Sequence, residues 1–288
     1  MDSIARNVYR LVEITDKEFD LLRSLIYKRL GINLTHVKRS LLVNRLQRLL
    51  REKEFSSFEA YYHYVTSDRS GEALSNLADR ISTNHTFFFR ENKHFEVLKN
   101  QMLPDLIRGP RARKSRMLRV WCAGCSSGEE AYALMMILMD FFGKEYGQWD
   151  AGLLATDVSE AALATARAGE YEPDAVEKLP RQWQLSYFRE TQDRRYAVID
   201  QIKKEIVFRR FNLMNADFPF KQPFDVIFCR NVMIYFDEPT RESLVKRFFR
   251  FTEPGGYLFV GHSESLRDRG MEYEYVMPAV YQKPLKMQ

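Results

Sequence analysis

The segment Val120-Trp121-Cys122-Ala123-Gly124-Cys125-Ser126-Ser127-Gly128-Glu129-Glu130 joins an apolar run to a helical pattern through two glycines. Asp157 closes a second apolar run about thirty residues later, the distance a βαβ unit requires. Glycines let a backbone approach a ligand where a Cβ would collide, and a carboxylate at the end of the second strand suits a pair of ribose hydroxyls. A dinucleotide fingerprint needs G-x-G-x-x-G to cradle a pyrophosphate. Here the loop reads G-x-x-x-G and has no lysine or arginine for phosphates. The spacing therefore favours a nucleoside without phosphates, with S-adenosylmethionine as the leading candidate.

Other polar residues interrupt apolar runs where an open α/β sheet holds its ligand. They fall in Phe211-Asn212-Leu213 and in Phe228-Cys229-Arg230-Asn231-Val232-Met233-Ile234-Tyr235-Phe236. The amide of Asn212 can both donate to and accept from an adenine edge. Tyr235 places a hydroxyl near the reacting end, or is a half-buried aromatic with a satisfied hydroxyl. Asp157 serves the ribose or caps the following helix, a task open to Ser159 as well. The stretch Ser82-Thr83-Asn84-His85-Thr86-Phe87-Phe88-Phe89-Arg90-Glu91 carries three consecutive phenylalanines and is too apolar for a free linker. It is expected to pack on the sheet domain near the cleft and to bring Arg90 into the site, unless Arg90 makes only an interface salt bridge.

The elements that must position these residues change period along the chain. Thr15-Asp16-Lys17-Glu18 has the form of a capping box, opening a helix through Phe19, Leu22, Leu25 and Ile26 that Gly31 can end. A second helix is expected over about Val37 to Lys53, with Leu42, Leu46, Leu49 and Leu50 on a core face and Arg45, Arg48 and Arg51 facing outward. Helices from about Ser57 (Tyr61, Tyr62, Tyr64, Val65) and from Glu72 (Leu74, Leu77, Ala78, Ile81) complete a small bundle. From Met117 strands expected at 117–123, 151–156, 205–211, 224–230 and 256–261 alternate with helices near 128–142, 159–167 and 239–252. That alternation predicts a mainly parallel, doubly wound α/β sheet, closed by an edge strand within Tyr273 to Gln282. The runs Gln184–Arg189, Arg195–Ile199 and Glu205–Phe211, separated by polar turns, suggest an antiparallel insertion over about 184–211. Its edge is either guarded by charge or available to an extended peptide. The expected domains are 1–83, a linker and connecting helix at 84–116, and the sheet domain at 117–288.

Composition narrows the classes. The longest apolar stretch, Ala131 to Phe142, is interrupted by Asp140 and is shorter than the roughly 18 residues that span a bilayer. The N-terminus lacks a continuous apolar h-region, so a cytoplasmic protein without membrane insertion is expected. Of three cysteines, Cys122 and Cys125 form a C-x-x-C inside the glycine loop. No second such pair or spaced histidine pair completes a tetrahedral site, and no metal is expected; Cys229 reads as a small buried hydrophobe. The net charge of +5 is concentrated. Lys28, Arg29, Lys38, Arg39, Arg45, Arg48, Arg51 and Lys53 face Glu52 alone, and Arg108, Arg111, Arg113, Lys114, Arg116 and Arg119 form a second cluster. Both clusters suit an anionic partner.

Five segments in register carry a family resemblance: Thr83-Asn84-x-Thr86-x-Phe88-Phe89-Arg90-Glu91, Gly124 to Glu130, Ala155-Thr156-Asp157, Arg230-Asn231-Val232-x-Ile234-Tyr235-Phe236, and Pro254-Gly255-Gly256-Tyr257-Leu258-x-x-Gly261-His262-Ser263-Glu264. From about Thr15 to Gln282 the chain resembles the bacterial chemotaxis receptor glutamate O-methyltransferases, with class I methyltransferase-like architecture behind an all-α domain. The resemblance implies donor contacts at Asn84, Thr86, Arg90, Glu129, Asp157, Asn212, Leu213, Arg230 and Asn231, beside Gly124 of the glycine loop. It also implies a reaction centre at Tyr235 with Arg90, S-adenosylhomocysteine as product, and methyl esters of glutamates on chemoreceptor cytoplasmic helices. Arg45, Arg48 and Arg51 would then face the receptor, and the insertion would accept a C-terminal receptor peptide. Ser126 and Cys122 stand where methyltransferases at large carry a glycine and an acid, which favours this family over a generic one. A nucleic-acid methyltransferase suits the basic clusters, but its Asn-Pro-Pro-Tyr motif is absent and no nucleic-acid partner is expected. A non-catalytic adaptor that senses the donor is a further alternative.

Overall fold

The computed structural model describes residues 11–109, 114–266 and 272–285. Arg111 and Arg113 of the second basic cluster lie outside them. The chain forms two compact units, Met1–Ser82 and Thr83–Gln288.

The first unit is helical: α1 Asp16–Leu30, α2 Arg39–Glu52, α3 Phe58–Ser67 and α4 Glu72–Ile81. The capping box forms as the sequence predicts, with the Thr15 hydroxyl accepting from the Glu18 N–H and the Glu18 carboxylate accepting from the Thr15 N–H at 2.8 Å. Glu18 also accepts the Glu59 N–H at 2.9 Å, which ties α1 to the start of α3. Gly31 ends α1 in the left-handed region at φ 71°. Helix α2 begins two residues later than expected, after a 3₁₀ turn at His36–Lys38. Its Leu42, Leu46, Leu49 and Leu50 are buried with Phe19, Leu22, Tyr61 and Leu77. Arg45 departs from the outward face: it is half-buried and its guanidinium donates to the Ile81 carbonyl, and to that of Ser82 at 3.4 Å. Those acceptors lie at the carbonyl end of α4, where a helix leaves acceptors without intrahelical donors. Arg48 and Arg51 are exposed.

The second unit is built on a seven-stranded sheet, ordered β6-β2-β1-β7-β8-β10-β9. Its strands are β1 Val120–Ala123, β2 Leu153–Asp157, β6 Ile206–Arg210, β7 Phe224–Cys229, β8 Thr252–Val260, β9 Glu274–Met277 and β10 Val280–Gln282. The first five are mutually parallel, while β10 runs antiparallel to both β8 and β9. The expected closing strand is thus a hairpin that turns at Ala279, φ 64°. Helices Glu129–Phe142, Glu160–Ala168 and Glu238–Phe251 match the expected crossovers. Both faces are covered. Cys122 and Val120 join the core under Glu129–Phe142, whereas Trp121 sits among Phe211, Phe218, Phe220, Phe224 and Phe248 and donates to the Thr156 hydroxyl at 2.9 Å.

A small antiparallel sheet is present, with order β3-β5-β4: β3 Glu170–Tyr171, β4 Phe188–Glu190 and β5 Tyr196–Val198. Its composition differs from the 184–211 expectation. Residues Arg181–Tyr187 are helical, the third strand comes from Glu170–Tyr171, and Ile206–Arg210 pairs with β2 in the large sheet. The β6 pattern places Ile206 and Phe208 inward, so its burial demands the large core. Among the described residues no helix is long and apolar enough to cross a membrane.

Candidate active site

The chain order reverses at β1: β2 and β6 extend the sheet on one side, β7 and β8 on the other. The carboxyl ends of β1, β2 and β7 therefore open around a crevice, the usual ligand position in open α/β sheets. After β1, Gly124 at φ 89° donates its N–H to the Thr156 carbonyl at 2.7 Å. A Cβ there would overlap the Val232 side chain, so glycine is required both for conformation and for space. Ser126 also turns left-handed, φ 49°, and aims its N–H at Asp157 Oδ2, 2.8 Å away. Asp157 Oδ1 accepts the Ser159 N–H at 2.9 Å, while the Ser159 hydroxyl caps the helix by accepting the Ala162 N–H at 3.1 Å. Ser159 takes the cap, and Asp157 faces the loop. Asp157 is thus a buried carboxylate at the carboxyl end of β2, beside the glycine bend, where ribose hydroxyls would lie.

Glu129 opens the next helix, is buried, and accepts the Ser127 hydroxyl at 2.7 Å. Burial pushes its carboxyl above the ordinary range. Asn84 reaches the same loop through its backbone carbonyl, which accepts the Ser126 hydroxyl at 3.1 Å. Thr86 is half-buried beyond it. The three phenylalanines divide: Phe88 packs against Tyr171 and Phe188, Phe89 against Phe95 and Trp183, while Phe87 stays 47% exposed. The Arg90 guanidinium donates to the His85 carbonyl at 3.0 Å and lies over the Phe87 ring. Asn212 forms a local turn, its side-chain oxygen accepting the Met214 N–H at 2.9 Å, and Leu213 beside it is buried.

After β7 the Arg230 side chain is 0% exposed. Its guanidinium pairs with Glu91 at 3.1 Å and Glu130 at 3.0 Å and donates to the Arg90 carbonyl, with Phe95 and Phe228 against its faces. Burial raises the Glu91 carboxyl, but the Arg230 charge and hydrogen bonds outweigh it and hold it below the ordinary value. Burial wins at Glu130, which is pushed up despite Arg230. Asn231 turns left-handed at φ 58° and its amide reaches Glu91 Oε1 at 3.4 Å. Tyr235 is half-buried at the end of the turn Met233–Tyr235. Glu264 holds that turn: its carboxylate accepts N–H groups of Gly261 at 2.6 Å, Asn231 at 2.8 Å and Ile234 at 3.0 Å.

Thus Asn84, Gly124, Glu129 and Asp157 meet around one loop, Arg230 and Asn231 are joined through Glu91, and Arg90 joins them through its backbone carbonyl while its guanidinium turns to His85. Arg45, Arg48 and Arg51 lie in the first unit. Sequence reasoning passed over Glu91, Glu130 and Glu264 as site-building residues. For Glu264 a signal existed, because Gly261-x-x-Glu264 repeats the three-residue spacing by which Glu18 reaches the Thr15 N–H. All three cysteines are free and buried, and burial pushes each thiol well up.

Residues 84–281 match the family described as "CheR methyltransferase, SAM binding domain", and residues 17–82 match "CheR methyltransferase, all-alpha domain". The chain is 41% identical over 272 residues to the chemotaxis protein methyltransferase of Borreliella burgdorferi, covering 94% of this chain and 96% of that protein. It is 39% identical to the probable chemotaxis protein methyltransferase of Rhizobium etli, over 83% of this chain and 89% of that one. For the Escherichia coli chemotaxis protein methyltransferase the identity is 35%, over 88% and 85%. The glycine bend, the Asp157 carboxylate beside it and the acid at Glu129 fit a nucleoside bearing an aminocarboxyl chain. The chain belongs to the CheR methyltransferase family, the S-adenosylmethionine-dependent methyltransferases of chemotaxis.

Proposed function

We propose that the protein methylates glutamate side chains on the cytoplasmic helices of chemoreceptors, forming methyl esters. The observation that carries this reading is the state of the groups around the strand ends. Asp157, Glu91, Glu130 and Glu264 are each engaged by donors of the protein, and the thiols are buried, which pushes each of them well up. These groups anchor and orient, which suits an acceptor that needs no deprotonation. A glutamate with pKa near 4.3 is ionised at neutral pH by a factor of several hundred.

S-adenosylmethionine, when bound, supplies the sulfonium methyl. Asp157 and the bend at Gly124 would hold the ribose, Asn212 and Leu213 the adenine side, and Glu129, with Arg90, Asn84 and Thr86, the aminocarboxyl side. Arg230 and Asn231 would contribute through backbone and amide, since the Arg230 guanidinium is enclosed. Arg90 and Tyr235 orient the incoming carboxylate. Opposite charges fade in this displacement, so a tight cationic clamp on the attacking oxygen would stabilise the ground state more than the transition state. Alignment in well-oriented reactions contributes about 7–11 kcal/mol. No metal is needed for this chemistry.

The partner is the acidic receptor bundle, met by Arg48 and Arg51 on α2. A C-terminal receptor peptide can add to an edge of the small sheet, where β4 pairs with β5. A labelled-donor assay on receptor fragments, RNA and DNA tests the substrate. Alkali-labile label on receptor alone is expected, and label on nucleic acid alone would overturn the reading. Donor binding without transfer to any acceptor would instead indicate an adaptor. Tyr235→Phe is expected to lose turnover while keeping donor affinity, and unchanged turnover would remove Tyr235 from the mechanism.

A further inference from the structure

We propose that Glu91, His94 and His262 form a binding site for one divalent transition-metal ion of the zinc class, beside the donor crevice. One ligand atom from each of the three lies within 4.8 Å of the others. His94 Nδ1 is 3.6 Å from Glu91 Oε2, and His262 Nδ1 is 4.0 Å from the same oxygen. The two imidazoles meet edge to face with centroids 4.8 Å apart. Two imidazoles and one carboxylate are a recurrent zinc donor set that leaves a fourth position open.

The second observation is the state of His94. Its side chain is 0% exposed, and neither ring nitrogen makes a hydrogen bond of ordinary geometry, the Pro278 backbone being its weak polar neighbour. Buried polar atoms without partners are costly and rare, and a neutral imidazole aimed at a carboxylate is a ready ligand. His262 has a side chain 53% exposed, which supplies an entry path. Charge agrees with a cation. Three buried or half-buried carboxylates, Glu91, Glu130 and Glu264, stand against the enclosed Arg230 and the half-buried Arg90. Glu91 would share its oxygen between the ion and Arg230. The ion would thereby tie the loop after β8 to the segment that carries Arg90, and so stiffen the walls of the crevice without entering the reaction.

The test is titration of the metal-stripped full chain with Zn²⁺ against a chromophoric chelator. One saturable equivalent is expected, weakened at least about tenfold in His262→Ala and in His94→Gln, and unchanged in His63→Ala, which alters an exposed histidine of the first unit. The half-exposed His262 keeps the test valid if His94→Gln fails to fold. Absence of a saturable equivalent, or equal affinity in His262→Ala, overturns the site. Titration with Co²⁺ should give ligand-field bands without a thiolate charge-transfer band, and the presence of that band would assign the metal to the cysteines instead.

Discussion

Single residues set the crevice by what they exclude and what they hold. At Gly124 a side chain would meet two separate penalties, a left-handed backbone and the Val232 methyls. Gly124→Ala is therefore expected to lower stability by about 2–4 kcal/mol and to weaken donor binding. Adding Val232→Ala should restore the steric part and leave about 1–2 kcal/mol for the backbone, read by urea unfolding of the single and double variants. Full recovery would show that conformation at 124 is unimportant. Glu264 works in the opposite sense, by binding. It satisfies three backbone donors around the turn that leads to Tyr235, although burial pushes its own carboxyl up. Glu264→Ala leaves those N–H groups without a buried acceptor and is expected to cost about 2–4 kcal/mol. Glu264→Gln keeps one acceptor oxygen, so it should fall between and lose turnover before it loses donor affinity. Equal stability of Glu264→Ala and the parent would refute the clamp.

At the scale of elements, what could be read from sequence was whatever local spacing determines. Thr15 to Gly31, the leucine face of α2, and the alternation around Gly124 and Asp157 all carry their geometry in neighbouring residues. Where the structure departs from the local pattern, distant partners decide. Ile206–Arg210 has the same strand composition whether it closes a hairpin or lies beside β2, and only the burial of Ile206 and Phe208 in the large core decides. The position of Arg45 on α2 predicts a solvent-facing side chain because local spacing cannot reveal that the carbonyl end of α4 lies within reach. The left-handed turn at Ser126 is likewise invisible in the sequence, whereas asparagine adopts that region more readily than most residues, so Asn231 carries a weak local signal. The capping box gives a pH test at this scale. Burial tends to raise the Glu18 carboxyl, but bonds from Thr15 and Glu59 outweigh it, so its folded pKa lies below the ordinary value near 4.5. A carboxylate lowered in the folded state stabilises above its unfolded pKa and loses that contribution as pH falls through the folded one. Glu18→Gln should therefore be less stable than the parent at pH 7, by about 1 kcal/mol, with the gap closing as pH drops below that value. A gap independent of pH would mean that the charge has no part in the cap.

Across the whole molecule, the formal net charge of +5 would attract any polyanion weakly, so the placement of charge has to supply selectivity for the proposed receptor partner. Arg39 is turned to Asp16 and the Ile14 carbonyl, and Arg45 to the end of α4, which makes both of them part of the helical unit's own construction. Arg48 and Arg51 remain on the exposed side, with Arg48 2.6 Å from Glu52. An exposed pair of that kind contributes little to stability, so its arginine can turn to an acidic partner at small cost. Arg48→Ala with Arg51→Ala is accordingly expected to lower the rate of receptor methylation several-fold at low salt, mainly through encounter, and to leave donor affinity and the unfolding midpoint within error. The difference from the parent should shrink as ionic strength rises and the Debye length falls below about 8 Å. Arg45→Ala should separate from this pair: it removes donors from the α4 carbonyl end and is expected to lower stability by about 1 kcal/mol, with a salt-independent effect on methylation. If the double variant methylates receptor like the parent at low salt, the exposed face of α2 is simply solvated and has no part in the proposed receptor contact.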